Sequence, residues 1–358
     1  MKRKYIISLA IGVVLSIIGF YWSFRNVPVD ELLAYLRDID YVWLIPATVI
    51  GFSTYFFRAL RWRIILSANA QLSFSSCYHP MMIGFMINSV LPARVGELAR
   101  PAILKQKENV PFSFGITTVG TERILDAITL IALLAWMLST VQIDPDLEVD
   151  IQGYHLSKEV LDRIARGMIG VSAGLVVLVV AMNIPAFQRL LKAGVLKIPV
   201  IFAPAGKKFT EKLYHKFCLP LTGIIDNIAS GLSLIRHPQK LVICIVYSLL
   251  IWLLQAVAFQ IVALGSPSID ISFTQMTTVF IIICFFIMLP SVPGYWGIWE
   301  AGGVFGLSLF GVGASEALGF SLTVHVVLLL PVLVAGIISA IFTSINIMKI
   351  SYGTETQQ

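Results

Sequence analysis

Long apolar runs recur along this chain, and they limit its fold more than any other feature. About twenty consecutive apolar residues cross a bilayer as one helix. Inside the bilayer, backbone N–H and C=O groups have no water to bond, so only helices and closed barrels span it. Residues 5–24 form the first run, directly after Met1, Lys2, Arg3 and Lys4. It is too long for a signal-peptide core and lacks a small-x-small cleavage site, so it reads as a retained span. Further runs cover residues 41–57, 112–141, 164–184, 241–264 and 319–347. Hydrophobic residues make up 57% of the 358 and charged residues 13%, about half the charge of a soluble domain. The expected class is an all-α polytopic membrane protein with about six full transmembrane helices.

The placement of charge sets the expected topology, because Lys and Arg favour cytoplasmic loops. Arg58, Arg61 and Arg63 close the second run with no acid beside them, and residues 185–240 carry the largest basic loop. Residues 142–163 hold Asp144, Asp146, Glu148, Asp150, Glu159 and Asp162 and are the most acidic. Residues 77–92 are short for a span; crossing there would put the next basic loop outside and the acidic loop inside. They are therefore expected to re-enter from the cytoplasm. By the same bias, 273–289 and 298–312 enter from the opposite face as a hairpin or pair of half-helices. Residues 1–350 then form one transmembrane domain, with interfacial helices in loop 185–240 and a short cytoplasmic tail at 351–358. Both termini are expected to face the cytoplasm, with a prokaryotic cytoplasmic (inner) membrane as the expected location. The net charge of +6 is accounted for by these loops, so no nucleic acid is implied.

The two short elements share an outline. Leu91-Pro92 precedes Gly96, and Leu289-Pro290 precedes Gly294, within GFMINSVLPARVGELARPAILKQK (84–107) and LPSVPGYWGIWE (289–300). Pro stops a helix and Gly permits close approach or positive φ. Related breaks in opposite orientation point to an inverted repeat, whose site lies where broken helices meet. Arg94, Glu97 and Arg100 follow the first break, and Glu122, Arg123 and Asp126 interrupt the run 112–141. Charges at membrane depth mark substrate paths, proton relays or binding sites. Glu122 and Asp126 share a helix face and Arg123 can pair with Asp126, so a self-neutralised structural cluster explains them equally well.

Helix N-termini after the breaks favour anions, and Arg94, Arg100 and Arg123 suit phosphate. Glu97, Glu122, Asp126 and Glu300 suit a cationic headgroup or a proton. Tyr295, Trp296 and Trp299 could flank a headgroup or acyl chain, although aromatic residues near membrane ends are commonly anchors. His325 and His79 read as packing residues. Cys77, Cys218, Cys244 and Cys284 show no paired spacing and read as small buried apolar residues. No metal or cofactor site is expected. The sequence contains neither a Gly-rich phosphate loop nor Gly-x-Ser-x-Gly, which argues against a nucleotide-driven pump and an ordinary hydrolase.

The block NSVLPARVGELARPAIL (88–104), the Thr121-Glu122-Arg123-Ile124-Leu125-Asp126 stretch, and Leu289-Pro290 through Gly294 with Glu300 occur in that order. As a set they resemble three motifs of the transmembrane region of lysylphosphatidylglycerol synthases, over nearly the whole chain. In those synthases this region translocates an aminoacylated phospholipid and is fused to a cytosolic transferase domain. No such domain is expected here, so the aminoacyl transfer activity is not carried over. The resemblance implies lipid handling by Arg94, Glu97, Arg100, Glu122, Arg123, Asp126 and Glu300; Pro290, Gly294 and Trp296 of the second break are expected to join them in binding the substrate. A lipid flippase is the expected function, with membrane lipid as substrate. A membrane-embedded transferase, or a non-catalytic partner of a separate synthase or transferase, is the alternative.

Overall fold

The computed structural model describes residues 2–25, 27–91, 94–140, 149–151, 154–156, 158–202, 206–231, 237–288 and 292–345. Pro92, Pro290 and the tail 351–358 lie outside the described residues, as do residues 141–148 of the acidic loop. The helices are α1 (Lys2–Phe24), α2 (Val29–Asp38), α3 (Leu44–Leu66), α4 (Phe74–Val90), α5 (Gly96–Glu108), α6 (Phe112–Thr140) and α7 (Lys158–Ala181). They continue as α8 (Pro185–Ile201), α9 (Lys207–Leu213), α10 (Leu219–Gly231), α11 (Pro238–Leu264), α12 (Phe273–Phe286), α13 (Ile298–Ser308) and α14 (Ala314–Thr343). A small antiparallel hairpin, β1 (Val149–Ile151) and β2 (Tyr154–Leu156), pairs Asp150 with His155 and leaves the fold helical in class.

Among the described residues, three helices are long and apolar enough to cross a membrane: Tyr41–Leu66, Pro238–Leu264 and Ala314–Thr343. Their outward faces are apolar too. On α14, Ile341 and Phe342 are 71% and 77% exposed, and Val242, Val246 and Leu253 lie exposed on α11. A helix apolar on both faces suits lipid on one side and protein on the other. The architecture is that of a multi-pass helical membrane protein.

The second apolar run does not end at Arg58 as expected. Helix α3 continues to Leu66 and carries Arg61 into the interior with no exposed surface. The continuation is tolerated because carboxylates from α6 meet that arginine, as described below. The acidic segment 25–40 also gains an element, the amphipathic α2, with Asp30 and Glu31 in its first turn where the helix dipole favours them. Its buried Tyr35 packs on Gly319 of α14, where a Cβ would lie 2.2 Å from the ring.

Helix α3 packs along α11 and α4 along α14. A core of Phe259, Phe280 and Phe320 ties α11, α12 and α14 together, with ring centroids 4.9 Å apart between the first two. Both Pro-Gly breaks become antiparallel helical hairpins. In the first, contacts step away symmetrically from the turn, Asn88 to Gly96 and Gly84 to Arg100. In the second, Gly302 lies on Phe286 and Gly306 on Val279. A Cβ at Gly96 would stand 1.9 Å from the Gly84 carbonyl oxygen, so only glycine lets α5 lie this close to α4.

Candidate functional site

Three helices place charged side chains at one buried junction. Arg58 and Arg61 are three apart on α3, and Glu122 and Asp126 are four apart on α6, so each pair shares a face. Arg61 Nη1 donates to Asp126 Oδ1 at 2.7 Å and to Ser248 Oγ of α11 at 2.7 Å. Arg100 Nη2, from α5, donates to Glu122 Oε2 at 2.6 Å. The Arg100 guanidinium also lies 4.0 Å from the Trp62 ring centroid, a desolvated cation–π contact, while Trp62 Nε1 donates to Thr118. Longer ion contacts extend the network: Arg58 to Asp126 at 3.8 Å, Arg123 to Asp126 at 3.6 Å and Arg123 to Glu97 at 3.9 Å.

A charge this deep is stable only when paired. Glu122 and Asp126 are buried and each faces arginines, which satisfies that demand. The cations are nevertheless in excess, since Arg58, Arg61, Arg100 and Arg123 face Glu97, Glu122 and Asp126. Arg123 Nε, Arg100 Nε and Asp126 Oδ2 make no hydrogen bond to the described residues.

The partly exposed end of this network opens into a cavity of about 200 Å³. Arg58, Arg94, Glu97 and Arg123 line it together with Tyr295, Trp299 and His325. Phe85, Phe280 and Leu328 supply apolar wall. Arg94 holds a φ of 52°, uncommon for a residue with a Cβ. Its Nη2 donates to the Ile287 carbonyl at 2.6 Å, where α12 ends, and its guanidinium stands 6.0 Å from the Tyr295 ring. The two broken elements therefore meet at the cavity.

The second break is folded around one imidazole. Gly294 and Gly297 have φ of 71° and 83°, which glycine adopts without strain. Glu300 Oε2 accepts from the Gly297 N–H at 2.6 Å, and Glu300 Oε1 lies 2.6 Å from His325 Nδ1. His325 Nε2 lies 2.7 Å from the Gly294 carbonyl oxygen. Trp296 and Trp299 flank the ring, with centroids 4.3 and 4.6 Å away.

The residues singled out in the sequence thus fall into three groups. Arg94, Glu97 and Arg123 line the cavity; Arg100, Glu122 and Asp126 stand behind it and brace Arg61 and one another. Gly294, Trp296 and Glu300 belong to the second break, with Glu300 buried and turned onto the N-terminus of α13. The helix N-termini expected to favour an anion are both taken by the protein itself. Asn88 Oδ1 accepts from Gly96 N at 2.7 Å in one, and Glu300 fills the other. Sequence reasoning missed Arg58, Arg61, Asn88 and Ser248 as parts of the site and read His325 as packing. The arginines carried a usable signal: they are three apart on one helix face.

The sequence profile described as "Lysylphosphatidylglycerol synthase TM region" matches residues 9–336. Two UPF0104 membrane proteins of Methanothermobacter thermautotrophicus are each 24% identical to the chain. One aligns over 305 residues, 82% of both chains, and the other over 356 residues, 95% of this chain and 93% of the relative. Glycosyltransferase AglD of Haloferax volcanii is 24% identical over 133 residues, 37% of this chain and only 21% of AglD. No solved structure matches the chain. The matched span contains the first break, the α6 acid–arginine cluster and the second break, and the chain belongs to the lysylphosphatidylglycerol synthase TM region family.

Proposed function

We propose that this protein is a flippase that carries the headgroup of an anionic or aminoacylated phospholipid, or of a lipid-linked sugar, across the cytoplasmic membrane. The observation that carries the reading is the cavity between the two broken hairpins, where Arg58, Arg94 and Arg123 outnumber Glu97. Guanidinium groups bind phosphate through paired N–H donors, and their strength rises where water is excluded. Glu97 is placed to take the cationic part of an aminoacylated headgroup, while Phe85 and Leu328 offer apolar wall to the first methylenes. Arg100, Glu122 and Asp126 act from behind by holding the arginine face in position. Gly294, Trp296 and Glu300, with Pro290, set the shape of the second wall. No metal or cofactor takes part. In the membrane we place about six full spans, both termini in the cytoplasm, and the two hairpins entering from opposite faces. The basic helices α8 and α9 then lie on the cytoplasmic surface.

The test is translocation of headgroup-labelled lipids in proteoliposomes, read with an impermeant quencher. Wild type should exceed empty vesicles, and Glu97→Gln and Arg123→Gln should lose the excess while remaining folded. A second reading follows from the partial match to a protein named as a glycosyltransferase: a membrane partner for a separate lipid or glycolipid transferase. Absence of translocation across anionic, aminoacylated and polyprenyl lipids, with product formed only when such a transferase is added, would favour it.

A further inference from the structure

The second break poses a question of proton counting. Both nitrogens of His325 face oxygen atoms, the Gly294 carbonyl at 2.7 Å and Glu300 Oε1 at 2.6 Å. A carbonyl only accepts, so Nε2 must carry a hydrogen. One more proton must then lie between Nδ1 and Oε1, whether on the nitrogen or on the oxygen. Without it, an imidazole lone pair would face a carboxylate at 2.6 Å in a site where Glu300 is 0% and His325 2% exposed. Either arrangement is neutral as a pair. The observed geometry therefore holds one bound proton.

That proton lets one imidazole meet two oxygens: without it a single ring N–H serves either the Gly294 carbonyl or Glu300 Oε1, not both. Glu300 Oε2, which accepts from the Gly297 N–H, ties the same carboxyl to the far end of the turn. The segment it secures, Gly294–Gly297, contains three residues in the left-handed region, Gly294, Tyr295 and Gly297. Such a turn persists only while its surroundings hold it. Its Tyr295 lies beneath Arg94, whose other contact is the end of α12.

We propose that Glu300 and His325 form a proton-binding site whose occupancy keeps the second break closed, coupling headgroup passage to proton release into the cavity. This rests on the flippase reading for its transport half. The proton leaves the Nδ1–Oε1 bridge for water entering the cavity, where His325 is already part of the wall. The dyad is left with one negative charge, and acceptor facing acceptor drives Gly294–Gly297 away from α14. Arg94 then loses its Tyr295 neighbour. Rebinding of a proton from the other side of the membrane restores the closed form.

The surroundings bear on the sign. The cavity that His325 lines is also lined by Tyr55 and Arg58 from α3, Arg94 and Glu97 from the first break, Arg123 from α6 and Cys284 from α12. Arginines dominate the space that His325 lines, while Glu300 lies buried behind the imidazole. Other titratable groups packed on α14 stand away from the dyad: Glu31 at Ser315 and Tyr35 at Gly319 on one side, His79 at Ser339 on the other. The closed form binds more protons than the open form, so closure is favoured at low pH and weakens as pH rises.

Glu300→Gln is the decisive variant. Its amide oxygen can accept from Gly297 N–H and its amide N–H can donate to Nδ1, so every bond is kept while the exchangeable proton is lost. The experiment is hydrogen–deuterium exchange of the peptides spanning 288–300 in the purified full chain in detergent, corrected for the intrinsic rise of exchange with pH. Wild type should lose protection by about tenfold per pH unit once the bridging proton is released, the slope expected for one linked proton. Glu300→Gln should stay protected throughout. Identical profiles in the two proteins would overturn the proposal. In proteoliposomes, wild-type translocation that varies with pH and is slow and pH-insensitive in Glu300→Gln supports coupling; translocation with the same pH profile in both removes it. No translocation at any pH, with the exchange difference intact, would instead count against the flippase reading alone.

Discussion

Arg61 and Asp126, 65 residues apart in the chain, join α3 to α6 through a 2.7 Å contact in which the arginine has no exposed surface. Asp126 is also the shared anion for Arg58 and Arg123. Removing one partner from a buried ion pair costs about 3–5 kcal/mol, because the other charge remains without compensation. Asp126→Asn should therefore lower stability by that order, read as loss of the folded fraction in detergent-based thermal or denaturant unfolding. The double change Arg61→Leu with Asp126→Leu should cost clearly less than the sum of the single changes.

Glycine spacing at the first hairpin gives a sharper contrast. Gly96→Ala would drive a Cβ to 1.9 Å from the Gly84 carbonyl and 2.6 Å from Asn88 Oδ1, and should prevent α5 from packing on α4. Gly120 on α6 has nothing within 4 Å of where its Cβ would stand. Gly120→Ala should be neutral or stabilising by up to about 1 kcal/mol, the helix-propensity difference. Size-exclusion profiles and melting temperatures of the two variants separate the cases.

The Asn88 side chain closes the turn by accepting from a buried backbone N–H. Asn88→Ala leaves that donor alone and should cost about 1–3 kcal/mol. Hydrogen exchange at Gly96 and Glu97 should accelerate well before the rest of α5 changes.

Arg123 combines cavity exposure with ion contacts, its side chain being 34% exposed. Arg123→Gln should weaken binding of an anionic headgroup by roughly tenfold to a hundredfold, as for a charged hydrogen bond worth about 1.5–3 kcal/mol. Its melting temperature should move far less than that of Asp126→Asn. Titration with a water-soluble glycerophosphate headgroup, repeated at higher salt to screen the interaction, measures this directly.

Much of the architecture was legible because lipid imposes simple rules. Apolar length marked α11 and α14, and Pro with Gly marked both breaks. Charge inside an apolar run pointed to Glu122, Arg123 and Asp126. Pairing across long sequence separations was not legible. Arg61 looked like the end of a span because its anion lies on α6, and Glu300 looked free because its imidazole partner lies 25 residues on, in α14. Asn88 gave no signal, since a lone amide in an apolar helix has no periodicity to betray it. The length of α3 followed from the same omission: an arginine continues a buried helix only when a carboxylate arrives from elsewhere.

The bond from Arg94 to residue 287 ends on a main-chain oxygen. Nothing about the isoleucine side chain takes part in it, and any residue placed there presents the same oxygen. The joint between the two broken hairpins is thus keyed to the path of the chain. Substitution can abolish it from the arginine side alone; at 287 the side chain answers to core packing while the bond to the oxygen stays intact.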